Sequence, residues 1–186
     1  MPLELIAPPA AEPVSLADAK AHLKVDTGDD DALIARLIAA ARARAEWHTG
    51  RALVTQGWTF WLDAWPLCGA IEIPLPPLQS VTSVTLYARD GTSSVMNAAL
   101  YTVDAASSPA RLALKQTVAP PDALRRINAV AIAFTAGYGD AGAVPVPLQQ
   151  AILALIAFLY ENRGEAPAEL PADCLALLAP YRVLKF

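Results

Sequence analysis

The apolar residues of this chain change their spacing twice, and that change limits the folds open to it. Between residues 16 and 49 they recur at three- and four-residue intervals; between 54 and 135 they alternate; from 148 onward the helical interval returns. Each period buries a face only in its own secondary structure, so a helix pattern cannot settle as a strand. The first stretch, after a Pro-rich lead-in (Pro2, Pro8, Pro9, Pro13), predicts a short helix over 16–24 with Ser15 as N-cap and Asp18 completing a capping-box-like start. A break at Asp26-Thr27-Gly28 precedes a long helix, capped by Asp29 or Asp30 and running to about Thr49, with Gly50 at the left-handed C′ position. Its stripe is Leu33, Ile34, Leu37, Ile38, Ala41 and Ala45; Arg36, Arg42 and Arg44 fall elsewhere on the wheel.

The middle predicts six or seven strands, at 54–65, 71–73, 81–87, 101–103, 111–114 and 127–135, with a hairpin turn at Asp90-Gly91. In the last of these, Val130, Ile132 and Phe134 oppose Ala129, Ala131 and Ala133, as in a strand buried chiefly on one face. Prolines at 74, 76, 77, 109, 120 and 121 fall in the connections, where a missing N–H does no harm. A helix over 148–162 follows, with Ile152, Leu155, Ile156, Leu159 and Tyr160 as its stripe and Gly164 as its stop; a second spans 172–179, and an apolar, basic tail closes the chain.

Composition narrows the function classes. Hydrophobic residues make up 55% of 186, but 39 of them are alanines, and charged residues are only 17%. High apolar content with a net charge of −4 excludes a disordered chain. The longest apolar run of the C-terminal region, 151–160, falls well short of the ~20 residues that span a bilayer. The start has no basic n-region, so neither a membrane span nor a signal peptide is expected. Cys68 and Cys174, 106 positions apart, read as two buried thiols of a reducing compartment in preference to a disulfide. The acidic balance lacks the basic stripe of a nucleic-acid grip.

Site chemistry is sparse. His22 and His48 have no metal-ligand spacing to other His or Cys, and His48 suits the last turn of a helix. Asp29, Asp30 and Asp31 lack an EF-hand pattern and read as helix-start residues. Gly137-Tyr138-Gly139 lacks the Lys-Ser/Thr of a phosphate loop and reads as a strand-to-helix turn. Trp58 and Phe60 share one strand face, Trp61 and Trp65 the other; one pair fills a core and the other needs a cover. No catalytic residue, metal or cofactor is expected.

The order of features resembles a known family. Pro13-Val14-Ser15-Leu16-Ala17-Asp18-Ala19-Lys20-Ala21-His22-Leu23-Lys24-Val25, the long helix beginning Asp31-Ala32-Leu33-Ile34-Ala35-Arg36 and ending Thr49-Gly50-Arg51, then Ala136-Gly137-Tyr138-Gly139 with Val144-Pro145, Tyr160-Glu161-Asn162-Arg163-Gly164 and Leu177-Leu178-Ala179-Pro180-Tyr181-Arg182, are similar to phage and gene-transfer-agent head–tail connectors (adaptors). The resemblance implies a non-catalytic subunit of a ring, usually twelvefold, under the portal protein. A stopper or tail-terminator protein would sit on its other side, and DNA would pass through without specific binding. A net charge of −4 per subunit agrees with a wall that does not hold phosphate.

The expected fold is α+β: a small helical bundle from residues 1–50 and 137–186, with a β-rich insertion at 51–136. Tyr181, Arg182, Val183, Leu184, Lys185 and Phe186 are the candidate portal-docking residues. Arg36, Arg42, Arg44, Trp61 and Trp65 are candidates for a subunit or tail-side interface. The alternatives are a stopper or tail-end protein of the same particle, a small ligand-binding enzyme with an aromatic pocket, and a single-strand nucleic-acid binder using the same tryptophans.

Overall fold

The computed structural model describes residues 2–66, 69–119, 121–162 and 170–183; Cys68, Pro120, Arg163, Gly164, Leu184, Lys185 and Phe186, singled out above, lie outside them. The fold is α+β, with four α-helices and two antiparallel sheets among the described residues. The chain divides into two compact units, one of Met1–Pro9 with Thr55–Gly137, the other of Ala10–Val54 with Tyr138–Phe186.

The helical unit holds α1 (Leu16–Leu23), α2 (Asp31–Thr49), α3 (Val146–Glu161) and α4 (Ala172–Leu178). The Ser15 hydroxyl accepts the Asp18 N–H at 3.1 Å and donates to the Asp18 carboxylate at 2.6 Å, satisfying one of the orphan donors of α1. Asp30 stands at the start of α2 without capping it; its carboxylate accepts the Tyr160 hydroxyl from α3 instead. Gly50 ends α2 at φ +69°, a conformation a Cβ would oppose, and its N–H reaches the Glu46 carbonyl at 2.8 Å. Helix α3 begins after Pro145 with Pro147 in its first turn, where no backbone donor is required. Ile34, Ile38, Ala41 and Ala45 of α2, Leu148, Ile152, Leu155 and Ile156 of α3, and Cys174 and Leu178 of α4 form one buried core with Ala19, Leu53 and Val54.

The sheet unit holds β1 (Leu3–Ala7), β2 (Gln56–Leu62), β3 (Ile71–Ile73), β4 (Leu78–Tyr87), β5 (Ser93–Val95), β6 (Tyr101–Asp104), β7 (Ala110–Leu114) and β8 (Val130–Ala136). Five strands form one sheet in the order β1-β2-β8-β4-β5, and three form another in the order β3-β7-β6. Strand β8 lies at the centre of the larger sheet. Its Val130, Ile132, Phe134 and Ala136 are buried opposite Leu62, Phe60, Trp58 and Gln56, which fixes the register of the inner face. The smaller sheet buries Ile71, Ile73, Ala110, Leu112 and Tyr101 and turns Glu72 and Arg111 outward.

Two strands were not foreseen. Leu3–Ala7 follows the helical reading of residues 1–50 only in sequence; in space it is an edge strand paired with β2. Five residues carry no decisive period, so a long-range partner decided their state. Strand β5 is three exposed residues, formed by the Asp90-Gly91 hairpin, in which Asp90 Oδ1 accepts the Thr92 N–H at 2.9 Å and its hydroxyl at 2.7 Å.

The helical core sets the size of two expected effects. Leu155→Ala is expected to cost about 2–5 kcal/mol through lost burial and a cavity. Ser15→Ala should cost about 1 kcal/mol through a lost cap. Urea unfolding followed by far-UV circular dichroism measures both; a Leu155 variant as stable as the parent would contradict this core.

Candidate assembly interface

The sequence offered five side chains for an interface, and the fold separates them. Arg36 is exposed on α2 and Arg44 half-buried. Arg42 is turned into its own unit: its Nε donates to Glu12 at 2.7 Å and its Nη1 to Glu46 at 2.7 Å, while Glu46 also accepts the Leu53 N–H at 2.9 Å. Burial works against the Arg42 charge, but the two carboxylates outweigh it and raise its pKa. Arg42 therefore ties the segment before α1 to the residues after α2. Trp65 is 6% exposed and so part of the sheet unit's core.

Trp61 does lie on the outer face of its sheet. Its Nε1 donates to Glu4 at 3.2 Å, and its ring stands 5.7 Å from that of Tyr87. The Arg125 guanidinium sits 4.1 Å above the Tyr87 ring and donates to the Asn128 carbonyl, so the three side chains form an intramolecular stack.

Helix α2 carries a surface that the sequence reading passed over. Trp47 is 84% exposed, far more than any other aromatic side chain described. At ~100° per residue it lies about 220° around the wheel from Ile34, opposite the buried stripe, and Arg36, Ala40 and Ala43 share its exposed side. The wheel position was the available signal. Next to Trp47, His48 lines an open cleft of about 470 Å³ together with Leu175, Ala179, Pro180 and Arg182.

The C-terminal candidates are partly committed. A 3₁₀ turn at Ala179–Tyr181 leads to Val183, whose N–H donates to the Thr49 carbonyl at 2.8 Å, and Arg51 Nε donates to the Tyr181 carbonyl. Tyr181 packs against the helical core, and Val183 lies over Gly50. The Arg182 side chain stays exposed.

Reactive chemistry is not assembled around these surfaces. His22 is exposed; Asp31 pairs with Lys20 at 2.6 Å, Asp30 is bound by Tyr160, and Asp29 is exposed. No cluster of three metal-ligating side chains occurs among the described residues. Cys174 is buried with its Sγ 3.7 Å from the Ala151 carbonyl oxygen, and burial pushes its thiol pKa up. At the Gly137-Tyr138-Gly139 turn the Gly137 N–H meets the Pro77 carbonyl and the Tyr138 N–H the Leu53 carbonyl, so these amides hold the strand exit and no anion. Among the described residues no helix is long and apolar enough to cross a membrane.

Comparison with known proteins places this geometry. Residues 13–103 match the family described as Phage gp6-like head-tail connector protein. Over those residues the chain is similar to the head–tail connectors. Three solved structures resemble this chain over its whole length, each aligning with 100% of it and 97% of their own chain. One, from the neck of an empty gene transfer agent particle computed with C6 symmetry, has a TM-score of 0.85 at 27% identity. A second, from the virion of a native gene transfer agent particle, has 0.82 at 26%. A third, from the neck of a native particle computed with C12 symmetry, has 0.81 at 29%. No curated protein sequence matches the chain.

The exposure contrast between the chain's tryptophans is measurable. Trp47→Phe should remove most of the emission quenched by acrylamide and shift the remaining maximum to the blue, whereas Trp65→Phe should leave the quenchable part intact. Equal quenching of the two variants would contradict the placement of Trp47.

Proposed function

We propose that this chain is a structural adaptor of the head–tail junction in a phage-like particle, acting by assembly and catalysing no reaction. Copies form a closed ring beneath the portal, the helical unit provides the body of each subunit, and the ring presents a platform to a stopper or tail-terminator protein. Genomic DNA passes through without being read. The observation that carries the reading is the full-length likeness to neck subunits at a TM-score of 0.85, together with the connector-family match over 13–103. A neck computed with C12 symmetry in a relative supports the ring, since a heterologous contact repeated by rotation closes on itself.

In this proposal the portal contact falls to the end of the chain. Tyr181 and Val183 are engaged by the subunit's own Arg51 and Thr49, so the residues that follow, Leu184, Lys185 and Phe186, are assigned the docking role. Aromatic and aliphatic anchors with a cation suit a small hot spot on a larger partner.

The test uses particles produced with this chain. Electron microscopy should find it in a ring between the portal and the tail. Removing Leu184, Lys185 and Phe186 should leave the melting temperature of the subunit unchanged within about 1 °C, while DNA-filled heads lose their tails at least tenfold. Normal tailed particles from the truncated chain would sink the docking assignment. A chain located elsewhere in the particle would sink the adaptor reading.

A further inference from the structure

We infer that the cleft at the C-terminal end of α2 receives the acidic loop at residues 26–30 of the neighbouring copy, so that each α2 is read at one end by the subunit before it and at the other by the subunit after it. The inference rests on the ring proposed above and names the contact that closes it.

The two surfaces are opposite in charge and sit at opposite ends of one rigid element. At the C-terminal end, His48 and Arg182 line the cleft with Leu175, Ala179 and Pro180, and the exposed indole of Trp47 stands next in sequence. Neither His48 nor Arg182 has a carboxylate within salt-bridge distance among the described residues, and Arg51 adds a further cation where it holds Tyr181. At the N-terminal end, the loop before α2 is anchored by two of its acids, Asp30 to the Tyr160 hydroxyl and Asp31 to Lys20. Its other two, Asp26 and Asp29, are exposed. The 19 residues of α2 separate the two surfaces by about 28 Å.

Two complementary surfaces on one molecule join copies either pairwise about a twofold axis, with each contact made twice, or head to tail; in the ring proposed above they join head to tail, and the chain of copies closes when the rotation per step divides the circle. Helix α2 fixes the distance between the surfaces, so the step does not vary from copy to copy. The charge pairs supply register, and Trp47 supplies apolar area beside the cleft. An indole that goes from exposed to covered contributes more than exposed ion pairs do. The outward alanines, Ala40 and Ala43, keep the helix between the two ends shallow.

The test is a charge exchange in producer cells whose only copy of the gene encodes the variant. Arg182→Glu combined with His48→Glu, and separately Asp26→Lys combined with Asp29→Lys, are each expected to lower the amount of chain in purified particle necks at least tenfold. All four sites are solvent-accessible, so circular dichroism and melting of the isolated subunit should be close to the parent's. All four substitutions in one chain restore opposite charges across the contact and should recover neck occupancy to within about threefold. Neck occupancy that survives both single-ended reversals overturns the inference and leaves the ring standing. Loss at either end without recovery in the combined variant also overturns it, because the charged ends then meet something other than each other. Absence of the unaltered chain from the neck removes the ring itself, and this contact with it.

Discussion

The helical unit depends on the seam between α2 and α3, where Ile34, Ile38, Ala41 and Ala45 lie against Leu148, Ile152, Leu155 and Ile156. More than 90 residues of chain separate the two strips, so their packing is what brings Ala10–Val54 and Tyr138–Phe186 into one unit. The small residues at 41 and 45 allow close approach at one end of α2, and the larger isoleucines fill the other. The cross-links between the two halves share this seam: Asp30 with Tyr160 at the start of α2, and the Val183 strap over Gly50 at its end. If the seam shifted by a turn, about 5.4 Å, both would break.

Much of this was legible from spacing alone. The α2 stripe, the alternation of β8, the cap at Ser15, the left-handed Gly50 and the Asp90-Gly91 hairpin are local signals, set by residues within one or two turns of each other. The α+β class followed from them, and the resemblance to head–tail connectors from their order. What escaped had no local cause. Leu3–Ala7 is a strand only because β2 offers it an edge, and Ser93–Val95 only because the hairpin places it beside β4. Residue type likewise did not reveal which arginine turns inward. Arg42 lies about 80° around the wheel from Ile34 and Arg36 about 200°, and only Arg42 finds Glu12, thirty residues earlier in the chain.

The tryptophans make the same point from the other side. Treating Trp61 and Trp65 as one face assumed that the strand continued to 65, whereas β2 ends at Leu62 and the chain turns Trp65 inward. Trp47 carried the clearer sign of a surface, because it sets a large ring on an outer side otherwise made of Arg36 and small alanines. A large apolar residue opposite a buried stripe is a better marker of a partner than an aromatic cluster on a strand, which a sheet can absorb on either face.

The C-terminal strap joins these observations. The Val183 N–H on the Thr49 carbonyl and the Arg51 Nε on the Tyr181 carbonyl fix the path of residues 181–183, yet they leave the Arg182 side chain exposed and set it in the cleft with His48. A cation on a loose tail would lose several rotatable backbone bonds on meeting an acidic partner, at roughly 1–2 kcal/mol for each residue ordered. Here that ordering is complete when the subunit folds, so a contact made by Arg182 costs mainly side-chain freedom. In the proposed ring, folding of the single subunit therefore prepares its contact with the next copy.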